Sequence, residues 1–178
     1  MGESTELTAR EESALAAAGA RVDETSLTFS DPSTLTFEDF ARLAEEFLRP
    51  IGVGYPWWVG DMLNMAEDVV GEAWAQLEAY LPNSPQTCAN YKSIAKHIPK
   101  SRRRGLHLSV AEPVAYLEPR KRDELIGKAI ANDWKREEMR EAARAEKLGL
   151  PYRAGAGELL PPPRNNKTCP HCGHELEE

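Results

Sequence analysis

Five polar side chains recur along one face of a short predicted helix, where their spacing suits the recognition of base edges. They are Gln86, Asn90, Ser93, Lys96 and His97. Amide, hydroxyl and imidazole groups donate and accept the hydrogen bonds that read bases in the major groove of DNA. Ser84 is a good capping residue, Pro85 suits the first helical position, and Thr87 stands three residues after the cap. The opposite face is apolar and consists of Cys88, Tyr91, Ile94, Ala95 and Ile98.

A basic run follows this helix, which Pro99 is expected to end. With Lys96, its side chains are predicted to hold phosphates, while Ser84 and Thr87 lie near the backbone of the nucleic acid. The run consists of Lys100, Arg102, Arg103 and Arg104. No Asp or Glu occurs from residue 79 to 111, and residues 84–148 carry 15 Lys and Arg against 9 Asp and Glu, a net charge of +6. Because the whole chain has a net charge of −7, this is a local electrostatic footprint of the kind that phosphate contacts need. A solvated basic loop remains the alternative.

Composition and length describe a globular protein of ordinary size. Of the 178 residues, 41% are hydrophobic and 29% are charged. No apolar run approaches the roughly 18–20 residues that cross a bilayer, and the acidic N-terminal stretch does not resemble a secretory signal. Three cysteines, two of them in one CxxC, do not form a disulfide framework. We therefore expect a cytoplasmic protein.

The elements around the polar helix are predicted to be helical throughout. Residues 1–33 are interpreted as a disordered acidic arm, and residues 34–148 as an all-α domain without strands. Thr36 and Asp39 open one helix, and a second runs from Pro56 to about residue 81, with Gly71 as a kink or a break. Ser109 is expected to cap a helix over residues 110–117, and two more helices follow from Pro119 and Trp134. Residues 71–81, a short turn and residues 84–98 then form a helix–turn–helix.

This region resembles the DNA-binding helical domain of ParB/KorB-type partition proteins. The likeness lies in the order of short motifs within residues 71–144: Ser84-x-x-Thr87-x-x-Asn90, Ile98-Pro99, Leu108-Ser109, Val114-Ala115-x-Leu117 and Lys135-Arg136-Glu137-Glu138. Pro82 replaces the usual turn glycine, Val110-Ala111-Glu112 replaces the family's His-Ala, and nothing matches the family's nucleotide-binding N-terminal domain. The resemblance implies a DNA-binding module of a phage or plasmid regulator, and does not extend to CTP binding.

The C-terminus carries a candidate zinc knuckle after a linker over residues 149–166. In residues 167–178, Cys169-Pro-His-Cys172-Gly has the form of the turn that presents two thiolates to zinc, and His174 is a third candidate ligand. His171 lies inside the loop and fits less well. A second subunit could complete the shell, and Cys88 is a remote possibility. A ribbon that has lost its metal and a redox dithiol are the alternatives.

The sequence favours a sequence-specific double-stranded DNA-binding protein that regulates transcription, replication or partition. The alternative is a helical protein–protein adaptor with a zinc-dependent docking tail and a possible homodimer or protein partner. RNA in place of DNA remains open. We do not expect an enzyme, because no nucleophile motif, phosphate loop or carboxylate pair stands out.

Overall fold

The computed structural model describes residues 8–48, 53–150 and 152, and within them the chain is mostly helical. The α-helices are α1 (Ala9–Ala17), α2 (Phe37–Glu46), α3 (Tyr55–Val70), α4 (Pro85–His97), α5 (Leu108–Ala111), α6 (Pro119–Ala131) and α7 (Arg136–Lys147). Four 3-10 helices lie between them, at Pro32–Thr34, Gly71–Tyr80, Lys100–Arg102 and Glu112–Val114. Two short strands, β1 (Ala20–Val22) and β2 (Leu27–Phe29), form an antiparallel hairpin. Within the described ranges, no helix is long and apolar enough to cross a membrane.

The N-terminal segment corrects two expectations, because residues 8–33 are folded and include the hairpin. Thr8 caps α1 in a capping box, in which its backbone N–H donates to the Glu11 carboxylate at 2.7 Å. In the hairpin, Ala20 pairs with Phe29 and Val22 with Leu27. The segment is ordered because its apolar side chains have a core to enter, and Leu27 is completely buried. Residues 8–33 are therefore not a disordered arm, and the body is mostly helical instead of all-α.

Two hydrophobic clusters make up the core. The first contains side chains of α1, the hairpin, α2, most of the length of α3 and the 3-10 helix Gly71–Tyr80, together with Cys88 at the start of α4. The second gathers Trp57 with the C-terminal half of α4 and the buried faces of α5, α6 and α7. Tyr91 of α4 packs against both clusters. Helix α4 therefore lies at the junction of the two, which fixes its orientation relative to the rest of the body.

Helices α3 and α4 pack closely against each other at Gly60. A Cβ on Gly60 of α3 would lie 2.5 Å from the Tyr91 carbonyl oxygen and 2.6 Å from the Ala95 Cβ. The helix predicted from Pro56 breaks at Gly71, which has a φ of 58°, and continues as the 3-10 helix Gly71–Tyr80. Helix α4 packs mainly on α3, so the predicted pairing of residues 71–81 with residues 84–98 as two α-helices is not the arrangement found.

The remaining helices begin close to where the sequence predicts them. The Thr36–Asp39 capping box opens α2, and Glu118 caps α6 by accepting the backbone N–H groups of Arg120 and Lys121. The predicted helix over residues 110–117 is replaced by α5 and the 3-10 helix Glu112–Val114. Its cap is His107, whose Nδ1 accepts the Ser109 N–H at 3.2 Å, so the expectation that Ser109 caps this helix is wrong.

Candidate nucleic-acid interface

Helix α4 has the boundaries and the two faces that its sequence predicts. The Ser84 hydroxyl accepts the Thr87 backbone N–H at 3.2 Å, and Pro85 occupies the first turn. Cys88, Ile94 and Ala95 are buried in the two clusters. The outer face presents Gln86, Asn90, Lys96 and His97 as exposed residues, with Ser93 and Thr87 partly covered at its edges. Amphipathicity therefore turns the predicted polar face away from the core.

The N-terminal half of this face carries two amides that pair with each other. The Gln86 Nε2 donates to the Asn90 Oδ1 at 3.0 Å, and both residues are exposed. Among the described residues, the other polar atoms of the two side chains, the Gln86 Oε1 and the Asn90 Nδ2, have no side-chain partner. One acceptor and one donor therefore point to solvent at a spacing of one helical turn. Such a pair can exchange its mutual hydrogen bond for two bonds to a base edge.

The C-terminal half of the face is partly covered by Tyr116, which the sequence analysis did not single out. Its hydroxyl lies 2.9 Å from the Ser93 Oγ, and its ring lies edge-on to the His97 ring with centroids 4.8 Å apart. The His97 Nδ1 is 2.8 Å from the Ser93 carbonyl oxygen. Since a carbonyl can only accept, this nitrogen carries the proton that the hydrogen bond needs. No sequence signal joins Tyr116 to α4, because the contact spans 23 positions.

The structure corrects the role predicted for Arg103. Its side chain is 1% exposed, and its Nη1 lies 2.8 Å from the Asp61 carboxylate. The remaining N–H groups reach the backbone carbonyls of Ala95, Ile98 and Thr25 at 2.9, 3.1 and 3.3 Å. The guanidinium also lies over the Trp57 ring, 4.4 Å from its centroid. A cation enclosed in this way cannot reach a phosphate, and Arg103 is a core residue.

Three more of the predicted phosphate-binding side chains are already engaged within the protein. Lys96 lies 3.3 Å from Glu67, and Arg102 lies 3.2 Å from Asp123. Lys100 donates to the Leu27 carbonyl and lies 3.7 Å from Asp61. All three side chains are still 41% to 66% exposed. The pairs of Lys96 and Arg102 are exposed and contribute little to stability, so a phosphate can compete for these two cations. The pair of Lys100 differs because its carboxylate partner is buried.

Arg104 is exposed, and among the described residues no carboxylate lies within ion-pair distance of it. Residues 104–107 lead from the basic run to a groove beside α4. This groove is lined by Thr87, Asn90, Tyr91, His107, Ser109, Glu112 and Arg136, among others. Arg136 is held there by Glu112 at 2.6 Å. The surface around the N-terminal half of α4 therefore includes polar groups from outside the helix.

The predicted zinc ligands Cys169, Cys172 and His174 lie outside the described residues. Within the ranges that the structure covers, no three His, Cys, Asp or Glu side chains come together as a metal site. Cys88 is a buried free thiol of the first cluster, in agreement with a packing role. Burial raises the pKa of this thiol to about 11.

Comparison with known proteins gives one distant similarity. The chain is 29% identical over 119 residues to a protein of Streptomyces niveus named transcriptional regulator NovE. The aligned part covers 66% of this chain and 54% of the relative, so the chain spans about half the length of the relative it matches. No family model and no solved structure matches the chain. The comparisons do not test the ParB/KorB-type likeness, which stays a prediction.

Proposed function

We propose that this protein binds double-stranded DNA in a sequence-specific manner and regulates transcription. The observation that carries the proposal is the outer face of α4, where Gln86 and Asn90 present an acceptor and a donor on a helix fixed by two hydrophobic clusters. No acidic residue lies on α4, so nothing on the helix itself repels a phosphate backbone. The similarity to a protein named transcriptional regulator supports transcription over replication or partition. The ParB/KorB-type likeness supports a DNA-binding module.

In this proposal the contacts divide into two groups. Gln86 and Asn90 read bases, with His97 at the far end of the same face. Arg104, Lys96, Lys100 and Arg102 contact phosphates, the last three by leaving their internal partners. Phosphate contacts position the protein and carry no sequence information directly, whereas base contacts decide which site is bound.

The first experiment measures binding to random duplex and single-stranded pools at two salt concentrations. We expect duplex binding that weakens as salt rises, because bound cations release counterions from DNA. Arg104→Ala should lower affinity for every sequence and reduce the magnitude of the salt slope by about 1. Arg42→Ala, an exposed arginine of α2, is the matched control and should leave both quantities unchanged. A wild-type protein that binds no duplex even at low salt would refute the proposal and favour the adaptor interpretation.

The second experiment tests the reading residues by selection from a random duplex pool. Gln86→Ala and Asn90→Ala should each relax the selected motif, since a good bidentate contact discriminates by about 1–3 kcal/mol. Non-specific affinity should change little, because neither side chain is charged. An unchanged motif in both variants would show that α4 does not read the bases through these amides.

We further propose that Cys169, Cys172 and His174 bind zinc and that the knuckle docks a second subunit or a protein partner. Two thiolates and one imidazole are donors that zinc favours, and a tetrahedral shell leaves one position for a group from elsewhere. Native mass spectrometry with and without a chelator tests this, with Cys169→Ser as the variant and Cys88→Ser as the control. We expect one zinc per chain in the control and none in the variant. A wild-type protein without zinc would refute the proposal.

A further inference from the structure

We propose that Tyr116 is a DNA-contacting residue, and that its ring and hydroxyl bind the sugar–phosphate backbone beside the bases that α4 reads. This inference rests on the proposed function. Tyr116 is the most exposed of the large hydrophobic side chains that the structure describes, with 65% of its surface accessible. It projects onto the outer face of α4, where it lies against Ser93 and His97.

The side chain is exposed and yet held in place. Its neighbours Val114 and Ala115 are almost completely buried in the second cluster, which anchors the backbone. The hydroxyl is fixed 2.9 Å from the Ser93 Oγ and the ring is fixed against His97. A large side chain held in one conformation loses little entropy when it binds a partner, which is why tyrosine is favoured at recognition surfaces.

The chemistry of the position suits the DNA backbone. If the Ser93 hydroxyl donates to the Tyr116 Oη, the phenolic proton is free to donate to a phosphate oxygen, and tyrosine is one of the side chains that makes this contact. The ring offers an apolar surface to deoxyribose. Ser93 then acts through Tyr116, which explains why its own hydroxyl is not free to meet a base.

A neutral contact to the backbone has a signature that separates it from both base reading and ion pairing. Tyr116→Ala should weaken binding to all duplexes roughly 10-fold, and Tyr116→Phe about 3-fold, because it loses only the hydrogen bond. The salt slope should stay at the wild-type value, since no counterion is released by a neutral group. The selected motif should also stay unchanged, because the backbone carries no direct sequence information.

The experiment measures duplex affinity at several salt concentrations for wild type, both Tyr116 variants and a Tyr80→Ala control. Tyr80 is a partly exposed tyrosine whose ring contacts Phe37 of α2 and not the outer face of α4, and its removal should not change affinity. Urea unfolding of Tyr116→Ala should lie within about 0.5 kcal/mol of wild type, which excludes misfolding as the cause of any loss. If wild type binds duplex and Tyr116→Ala binds equally well, or if the variant changes the salt slope or the motif, this inference is wrong and the proposed function stands. If wild type binds no duplex, both fall.

Discussion

Arg103 offers the most direct test of the structure, because the sequence and the structure assign it opposite roles. A phosphate-binding arginine in a basic run can be replaced without a change in stability. A buried arginine that pairs with Asp61 and contacts three backbone carbonyls cannot. We therefore compare Arg103→Met, which keeps part of the side-chain volume, with Arg104→Met one position along the chain.

The expected magnitude follows from what the guanidinium leaves behind. Asp61 is 7% exposed, and its carboxylate would keep only the Leu27 N–H at 3.0 Å and the more distant ammonium of Lys100. The carbonyls of Ala95 and Ile98, at the C-terminal end of α4, would lose a charged donor. Removing one partner of a buried ion pair costs about 3–5 kcal/mol. This is a large part of the roughly 5–15 kcal/mol that stabilises a domain.

The measurement is urea unfolding followed by circular dichroism, analysed with a two-state model. Arg103→Met should lower the free energy of unfolding by about 3–5 kcal/mol, and Arg104→Met should remain within about 0.5 kcal/mol of wild type. A loss below 1 kcal/mol for Arg103→Met would show that the pair with Asp61 is not buried as described. The same result would return Arg103 to the set of candidate phosphate ligands.

Three further predictions concern packing, a thiol and a surface charge. Gly60→Ala should destabilise the protein by about 1–3 kcal/mol, because the new methyl group would meet a backbone carbonyl of α4. Gly127→Ala, at a helical position with open space around it, should stabilise the protein by about 0.5–1 kcal/mol. Thermal unfolding of both variants tests the two expectations. Burial raises the pKa of the Cys88 thiol to about 11. Its contribution to stability is therefore complete below about pH 9 and is lost as pH rises through 11. Unfolding at about pH 7, 9 and 10.5 should show a larger loss for wild type than for Cys88→Ala, because buried tyrosines such as Tyr55, whose pKa burial also raises, destabilise both proteins at high pH. Glu67→Gln should strengthen non-specific DNA binding and steepen the salt slope, because it releases Lys92 and Lys96 from their ion pairs. The control is Glu46→Gln, which removes the partner of Arg10 and should change neither quantity.

Local signals predicted the helices well where the capping chemistry was complete. Thr36 with Asp39 and Ser84 with Pro85 fix the starts of α2 and α4 through hydrogen bonds within a few residues. The same signal occurs at Thr8 and Glu11. A capping box there predicts a short helix even in a stretch whose composition is typical of disorder. It is the sequence signal that argues against a disordered N-terminal arm.

Long-range partners explain the rest of the differences. The three-residue strands of the hairpin are stabilised by side chains of α3, since Asp61 accepts the Leu27 N–H and the Trp58 Nε1 donates to the Asp23 carbonyl. These contacts join residues more than 30 positions apart. Nothing within the segment itself indicates them. Arg103 shows the same limit, because its neighbours in sequence are exposed and its acidic partner lies 42 positions away.

The ion pairs that the basic side chains form within the protein change the kind of DNA binding that we expect of this chain. Lys96, Lys100 and Arg102 must leave internal partners before they reach a phosphate, and the whole chain has a net charge of −7. Non-specific affinity, which depends on phosphate contacts, should therefore be low. A protein of this kind gains its specific affinity from base contacts by α4, which exist only at the correct site. Neutral backbone contacts such as that proposed for Tyr116 add to binding on every duplex without steepening the salt slope. The consequence is a high ratio of specific to non-specific binding with a modest salt slope, which titrations of one selected site and one scrambled site measure together.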